Sequence, residues 1–315
     1  MMKEFVFSPY LDINVALQSD SAPLPSSSTD SLEPLNDPPL TNLPQGIKAL
    51  TLAFATGECG RERWGDLDAK TVAASHLKPL QRAGVGYVIS TGGAEGIFTC
   101  SSEQGMAAFI AHYNSRHLLG LDFDIEAGQS ESMIADLVEQ VRIAMQQHPH
   151  LRFSFTLAAL SSKDSGQPSL NQHGDLVMKA IMRAGLRNYF INLMVMNYGE
   201  AKSDNCVVES GRCNMAASAI QVVQNFSQRY GLPPGRIEVT PMIGVNDVVD
   251  NVFTLGDARA LSLFVAANGL GGLHFWSLNR DQPCAQPRLA VSPTCSSLEG
   301  PVQLEFANTF ALGLR

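Results

Sequence analysis

Strand-like and helix-like segments alternate along most of this 315-residue chain. Runs of β-branched, aromatic and aliphatic residues predict eight strands, near Phe5–Ile13, Ala49–Phe54, Gly86–Ser90, Leu118–Glu126, Arg152–Leu157, Tyr189–Met196, Ile237–Met242 and Gly272–Ser277. Between them, apolar residues recur with helical spacing, most clearly over Ser130–Gln147, where Ser130 is a suitable N-cap. This alternation predicts an α/β fold, a single-domain (β/α)8 TIM barrel over residues 1–315. A doubly wound open sheet is the alternative, but no GxGxxG motif follows the first strand.

Residues 19–46 form the one segment that lacks this alternation. They contain six Pro and six Ser and no periodic apolar pattern. A segment of this composition buries too little apolar surface to order itself. We therefore predict a flexible insertion between the first and second strands.

Charge and hydropathy limit the classes of partner. The net charge of −8 and the pI near 5.3 argue against binding to nucleic acid or to an anionic membrane surface. No apolar run approaches the roughly 20 residues that span a bilayer. Residues 1–7 show no long apolar stretch that ends in a cleavage site, so no signal peptide is visible. We expect either a trimmed chain or one module of a longer protein.

Six cysteines are present, and no pair has the CxxC spacing of zinc or redox sites. They fall into three groups: Cys59 and Cys100 after predicted strands, Cys206 and Cys213 in one polar loop, and Cys284 and Cys295 around another. We predict a secreted, extracellular enzyme with up to three disulfides that link loops. Six free thiols in a reduced compartment are the alternative.

The stretch Gly120–Glu126 alternates apolar and acidic residues, which predicts a strand with two different faces. Asp122, Asp124 and Glu126 then share one face. Three carboxylates spaced about 6–7 Å apart repel each other, and burying them as anions costs several kcal/mol each. Such a row has no structural advantage, so we predict that it serves chemistry. A metal site is the competing interpretation, but no matching His or Asp cluster accompanies the row.

Other predicted strands also end in polar or aromatic residues. These ends are residues 90–93 on strand three, 194–199 on strand six and 275–281 on strand eight. The active sites of (β/α)8 barrels lie at the C-terminal ends of the strands. We therefore predict that these ends and the acidic row form one site.

The motif Gly120–Glu126 resembles the DGxDxDxE signature of glycoside hydrolase family 18, the chitinases and their relatives. The resemblance extends over nearly the whole chain, and bacterial chitinases with a compact catalytic barrel are the most similar members. The further matching segments are Phe7–Tyr10 on strand one, Ser90–Gly93 on strand three, Met194–Tyr198 on strand six, Thr240–Gly244 on strand seven and Trp276 on strand eight.

This resemblance implies a retaining, substrate-assisted mechanism without an enzyme nucleophile. Glu126 would be the general acid, Asp124 would orient the substrate's 2-acetamido group, and Asp122 would modulate Asp124. The acetamide carbonyl would attack the anomeric carbon and form an oxazolinium ion. Tyr198 would donate its hydroxyl to the acetamide oxygen. From residue chemistry alone, we expect Asp122 and Asp124 to share a proton and the pKa of Glu126 to be raised.

The predicted substrate-binding residues lie at the strand ends. Trp276 offers a flat apolar floor for a pyranose ring, and the others are Asn197, Met194, Met196, Tyr10, Phe54, Gly92, Gly93 and Met242. Core filling is the alternative interpretation of Met194 and Met196. Leu119 replaces the first acidic residue of the signature, and Asn197 stands where many family members have Asp. Asn197 removes a negative charge, so we expect it to affect the pH profile and turnover.

We predict a chitinase that hydrolyses β-1,4 bonds in chitin or in N-acetylglucosamine oligosaccharides. It is expected to act as a monomer without a cofactor, a metal, a nucleic acid or a membrane partner. An endo-β-N-acetylglucosaminidase that cleaves the chitobiose core of N-glycans is one alternative. A non-catalytic chitin-binding lectin is another, although such proteins commonly lose the acid that this chain keeps as Glu126.

Overall fold

Parallel strands form one curled sheet whose order follows the chain. The structure is a computed structural model, and it describes residues 5–15, 43–44, 46–162, 168–286 and 290–315. The predicted insertion over 19–46 lies outside these residues, except for positions 43, 44 and 46. The sheet contains β1 (Val6–Phe7 and Tyr10–Asp12), β2 (Ala49–Ala55), β3 (Gly86–Gly92), β4 (Leu118–Asp124), β5 (Arg152–Ala158), β6 (Phe190–Met194), β7 (Ile237–Thr240) and β8 (Gly272–Leu273).

The sheet closes through its first strand, which has two segments. Val6–Phe7 pairs with β8, whereas Tyr10–Asp12 pairs with β2, and both pairings are parallel. The segments are separated by Ser8 and Pro9, and proline has no N–H to contribute to a ladder. The backbone N of Tyr10 still donates to the carbonyl of Phe275 (3.1 Å). One strand thus contacts both ends of the sheet, and the predicted (β/α)8 barrel is confirmed.

Helices follow the strands from β2 onward. They are α1 (three consecutive segments, Ala69–Val72, the π-helical Ala73–Leu77 and Lys78–Ala83), α2 (Glu103–Tyr113), α3 (Glu131–Gln147), α4 (Gln172–Ala184), α5 (Met215–Tyr230), α6 (Leu255–Asn268) and α7 (Glu305–Gly313). Ser130 caps α3 as predicted, since its hydroxyl accepts a hydrogen bond from the N–H of Met133 (3.2 Å). The apolar side of each helix packs on the outer face of the strands in one hydrophobic core.

Strand β4 shows the two faces that its sequence predicts. Leu121, Phe123 and Ile125 are buried in the core between strands and helices. Asp122 points the other way, into the barrel, because its hydrogen-bond donors come from β1, β3 and β5. Regular pairing ends at Asp124, so Glu126 lies just beyond the strand and not within it as predicted. Strand β8 is also shorter than predicted, although an isolated parallel bridge joins Met242 to Trp276.

Disulfides join the six cysteines in the three predicted groups: Cys59–Cys100, Cys206–Cys213 and Cys284–Cys295. The free-thiol alternative is therefore wrong.

Short strands build the loops at the C-terminal ends of the barrel, paired as Gly57–Glu58 with Phe98–Thr99, Arg63–Trp64 with Leu67–Asp68, Val208–Glu209 with Arg212–Cys213, and Gly244–Val245 with Val252–Phe253. Within the described ranges, no helix is long and apolar enough to cross a bilayer.

Candidate active site

Asp122 is buried in the barrel, where hydroxyl groups surround it. Tyr10 and Ser90 donate to Oδ2 at 2.9 and 2.7 Å. Ser154 and Thr156 donate to Oδ1 at 2.7 and 2.8 Å. Burial raises the pKa of Asp122, and the four hydroxyl donors oppose that rise because they stabilise its anion. Asp122 is therefore held rigidly, and both of its oxygens are already occupied.

Asp124 has the opposite environment. It is also buried, but its Oδ1 atom has no hydrogen-bond partner among the described residues. Burial raises the pKa of Asp124 well above its usual value, and the negative charges of Glu126 and Asp122 raise it further. No hydrogen bond in the described part of the chain joins Asp122 to Asp124, so the two carboxyls act on each other through charge. Proton sharing between them stays a prediction. Asp124 is thus a buried carboxyl group with an unused acceptor.

Glu126 is half-buried, one residue beyond the core side chain Ile125. Burial raises its pKa, and the negative charge of Asp247 raises it further. The predicted direction of this pKa change is confirmed. Because Ile125 N still donates to the carbonyl of Thr156 (3.1 Å), the backbone before Glu126 remains anchored to β5. Glu126 is therefore a carboxyl group held in a fixed place with a raised pKa and partial access to solvent.

Aromatic side chains from β1, β2 and the segment after β8 lie beside the acids. The rings of Phe54 and Trp276 stack with centroids 5.4 Å apart and an interplanar angle of 16°. Both side chains are half-buried, so part of each ring is left for a ligand, as a sugar face requires. The ring of Tyr10 lies 5.9 Å from that of Trp276. Tyr10 is itself buried, and it connects this aromatic group to Asp122 through its hydroxyl.

Gly92 and Gly93 allow the end of β3 to approach both the acids and the aromatic group. Both have positive φ angles, +85° and +81°. A Cβ atom on Gly92 would lie 2.0 Å from the carbonyl oxygen of Asp124, and one on Gly93 would lie 2.7 Å from the Phe54 ring. Only glycine fits at these two positions without moving a neighbour.

Three methionines at or just beyond the ends of β6 and β7 differ in how deeply they are buried. Met194 is the last residue of β6 and is buried, as is Met242 after β7, whereas Met196 is half-buried. Met242 forms the backbone bridge to Trp276 and so lies next to the aromatic group. Substrate contact by Met194, Met196 and Met242 stays a prediction.

Asn197 and Tyr198 point to different surroundings. Asn197 is exposed, and its Nδ2 donates to the Asp247 carboxylate (2.8 Å). Tyr198 is buried, and its hydroxyl has no hydrogen-bond partner among the described residues. The acid whose charge acts on the Tyr198 hydroxyl is Asp257 of helix α6. No described contact joins Tyr198 to the acids of β4, so its catalytic role stays a prediction.

Sequence reasoning missed part of this polar interior. Asn192 donates to Tyr10 Oη (3.0 Å) and to Thr156 Oγ1 (2.9 Å), and its own oxygen accepts from Thr240 (2.8 Å). Ser154 and Thr156 are two residues apart on β5 and so share one strand face. This spacing was the sequence pattern that could have placed them inside the barrel. No group of three or more His, Cys, Asp or Glu among the described residues forms an arrangement that could hold a metal ion.

Comparison with known proteins relates this chain to chitinases, although no protein-family model matches it. The chain is 26% identical over 305 residues to the probable bifunctional chitinase/lysozyme of Escherichia coli (strain K12), covering 88% of this chain and 31% of that protein. It is 29% identical over 265 residues to endochitinase 11 of Metarhizium anisopliae, covering 76% of this chain and 48% of that relative. The chain thus spans about a third and about half the length of these curated relatives.

Solved structures give the same result. The catalytic domain of the hyperthermophilic chitinase from Pyrococcus furiosus has a TM-score of 0.73 and 26% identity, covering 100% of this chain and 96% of that domain. Catalytic-site mutants of active domain 2 of the thermostable chitinase from Pyrococcus furiosus, complexed with chito-oligosaccharides, match with the same TM-score and identity. A particular relationship to bacterial chitinases stays a prediction. The chain is similar in sequence to chitinases and shares their barrel fold.

Proposed function

We propose that this chain is a family 18-type glycoside hydrolase that cleaves β-1,4 bonds between N-acetylglucosamine units of chitin. The observation that carries the proposal is the pair formed by Glu126 and Asp124. One is a half-buried acid whose pKa is raised, and the other is a buried carboxyl group with an unpartnered oxygen. The half-buried rings of Phe54 and Trp276 add a surface for sugar stacking. Sequence similarity to chitinases supports the substrate class.

Glu126 begins the proposed reaction. Its carboxyl proton moves to the glycosidic oxygen as the bond from that oxygen to the anomeric carbon breaks. The carbonyl oxygen of the substrate's own acetamide group bonds to the anomeric carbon, which gives an oxazolinium ion. The leaving sugar departs with the proton, and Glu126 is left as a carboxylate. It then takes a proton from a water molecule whose oxygen attacks the anomeric carbon, and the bond from that carbon to the acetamide oxygen breaks. The two successive displacements at the anomeric carbon retain its configuration.

Asp124 orients the acetamide during these steps. Its unpartnered Oδ1 is available to accept the acetamide N–H, which places the carbonyl oxygen for attack. Burial disfavours negative charge on the Asp122 and Asp124 carboxyls, and the charge of Asp122 adds to this effect at Asp124. The positive charge of the oxazolinium ion has the opposite effect and favours their ionised forms. The four hydroxyl donors to Asp122 keep it in place and leave Asp124 as the carboxyl that contacts substrate.

Turnover of defined N-acetylglucosamine oligomers by wild type and by Glu126→Gln tests the proposal. We expect wild type to release products whose first anomer is β, and Glu126→Gln to lose at least about 100-fold in kcat. Glu299→Gln is the matched control, because Glu299 is exposed and distant in sequence from the motif. Inactive wild type, or substantial activity in Glu126→Gln, contradicts the proposal. Binding without turnover would favour the lectin, and glycan release from a glycoprotein without chitin cleavage would favour the endo-β-N-acetylglucosaminidase.

We also propose that the protein works as an extracellular monomer. Disulfides such as Cys59–Cys100 persist in oxidising environments and are rare in the cytosol. The chito-oligosaccharide bound in the Pyrococcus furiosus chitinase mutants supports the choice of ligand.

A further inference from the structure

The side chain of Asn279 joins the end of β1 to the segment after β8. Asn279 lies in the short 3-10 turn Leu278–Arg280 and is buried. Its Oδ1 accepts a hydrogen bond from the backbone N–H of Asp12 (2.9 Å), and its Nδ2 donates to the backbone carbonyl of Asp12 (3.0 Å). Only one orientation of the amide satisfies both groups, because the N–H needs an acceptor and the carbonyl needs a donor. The Asn279 amide therefore acts toward Asp12 as the peptide groups of a neighbouring strand would.

This contact continues the barrel where β8 has ended. Regular pairing of β8 with β1 stops at Leu273. One more backbone hydrogen bond follows, from the N–H of Tyr10 to the carbonyl of Phe275 (3.1 Å). Two residues further along β1, the partner of Asp12 is the Asn279 side chain and not a strand. The amide thus closes the sheet at the mouth of the barrel, where the backbone has already turned away.

Both partners of this contact are close in the chain to the two stacked rings. Asp12 pairs with Ala53 of β2, which directly precedes Phe54. Asn279 follows Trp276 by three residues. The rings of Phe54 and Trp276 are the pair with centroids 5.4 Å apart and an interplanar angle of 16°. The contact therefore sets the separation of the two backbone segments that carry the ring pair.

Trp276 is also attached on its other side. Its N–H donates to the carbonyl of Pro241 (2.9 Å), and its carbonyl accepts from the N–H of Ile243 (3.0 Å). These two bonds hold the Trp276 backbone to the segment after β7. On the side of β1, the Asn279 amide makes the corresponding attachment to Asp12.

We propose that Asn279 is a positioning residue of the sugar-binding surface: its amide takes the place of a strand's peptide groups and holds Trp276 against Phe54. The inference rests on the proposed function only for the use of these rings by a sugar. Without the amide, the segment that carries Trp276 loses its attachment to Asp12. The ring stack then opens, and the flat apolar surface that a pyranose ring needs is lost.

Acrylamide quenching of tryptophan fluorescence tests this role without any ligand. The chain has two tryptophans, and Trp64 is fully buried whereas Trp276 is half-buried, so quenching reports on Trp276. Asn279→Ala should raise the quenching constant about twofold, because an indole released from ring stacking exposes both faces instead of one. Asn225→Ala is the matched control. Asn225 of α5 is half-buried and its Nδ2 also donates to a backbone carbonyl, that of Ser162 (2.7 Å), so quenching should not change.

The isosteric variant Asn279→Asp separates the donor of the amide from its shape. At neutral pH its carboxylate accepts from the Asp12 N–H but sets a second oxygen against the Asp12 carbonyl, so quenching should rise as in Asn279→Ala. At about pH 4, burial keeps the introduced carboxyl group protonated, and its O–H can donate to that carbonyl. Quenching should then return to the value that wild type has at the same pH.

Binding of an N-acetylglucosamine tetramer connects the ring pair to sugar recognition. In the Glu126→Gln background, which prevents turnover, we expect Asn279→Ala to raise the Kd of the tetramer about tenfold. Unchanged quenching in folded Asn279→Ala, or an equal rise in Asn225→Ala, overturns the proposal, as does an unchanged Kd. Where Asn279→Ala does not fold, Asn279→Asp at the two pH values decides the same question.

The two measurements also separate this inference from the proposed function. A wild-type protein that neither binds nor cleaves the oligomer contradicts the proposed function. The quenching experiment needs no sugar, so it still decides whether Asn279 holds Trp276 in place.

Discussion

Tyr10 and Tyr198 show how much the surroundings of one residue type can differ. The Tyr10 hydroxyl donates to Asp122 (2.9 Å) and accepts from Asn192 (3.0 Å), so its hydrogen-bonding capacity is used. The Tyr198 hydroxyl is equally buried and has no partner among the described residues. A buried polar group without a partner destabilises the folded state, because it loses its hydrogen bonds to water on folding.

Removing these two hydroxyl groups should therefore have opposite effects. We expect Tyr198→Phe to leave the free energy of unfolding unchanged or raise it by about 1 kcal/mol. The predicted hydrogen bond from Tyr198 to the substrate acetamide implies a lower kcat in the same variant. The control Tyr10→Phe should lower that free energy by about 1.5–3 kcal/mol, since its hydroxyl bonds a carboxyl group. Urea unfolding and oligomer turnover measure both effects. A folded Tyr198→Phe variant with unchanged kcat would contradict the predicted contact of Tyr198 with substrate.

At the scale of single elements, helix α7 depends on a cap from outside the helix. Leu304 precedes it and offers no side-chain acceptor. In the first turn, the N–H groups of Phe306 and Ala307 donate instead to the carboxyl of Asp281 at 3.0 and 2.8 Å. Burial nevertheless raises the pKa of Asp281 to about 7, against the effect of these two hydrogen bonds.

This raised pKa links the stability of the protein to pH. Below about pH 4, Asp281 is protonated in both the folded and unfolded states. Between pH 4 and 7 the folded state holds the proton more tightly, so stability falls as pH rises through this window. Asp281→Asn removes this titration. We therefore expect the free energy of unfolding of the variant, relative to that of wild type, to rise by a few kcal/mol from pH 4 to pH 8. Urea unfolding at both pH values measures the gain. A constant difference between the two proteins would contradict this expectation.

At the scale of the whole molecule, disulfides restrict the unfolded chain to different extents. Cys59–Cys100 connects the loops after β2 and β3 and closes a segment with a sequence separation of 41 residues. Cys206–Cys213 closes a separation of only 7. A longer closed loop removes more conformational entropy from the unfolded state, so Cys59–Cys100 should contribute the larger stabilisation.

Replacement of each pair by alanine tests this difference. Loop entropy predicts a loss of about 4 kcal/mol for Cys59→Ala with Cys100→Ala and of about 2.5 kcal/mol for Cys206→Ala with Cys213→Ala. Guanidinium unfolding of the two double variants gives both values under the same conditions. If the two double variants lose the same free energy of unfolding, loop entropy is not the main source of stabilisation here.

Local patterns in the sequence determined the strands, the helices and the faces of β4. Alternation over Gly120–Glu126 depends only on the geometry of a single strand, so it placed Asp122 and Leu121 on opposite sides without knowledge of any neighbour. The same reasoning located the candidate site at the C-terminal strand ends, because parallel strands in a barrel all end on one side. The three cysteine groups followed from their positions in loops.

Tertiary structure alone decided which of these side chains act on each other. Asp122 receives its donors from residues 32 to 112 positions away, and their distances depend on how the strands are aligned. The hydrogen bond between Asn197 and Asp247 likewise joins two loops that are 50 residues apart. A pattern within one strand carries no information about alignment between strands. The alignment of neighbouring strands therefore decided what the sequence could not: that Asp122 is held by hydroxyl donors and that Asp124 keeps an unpartnered oxygen.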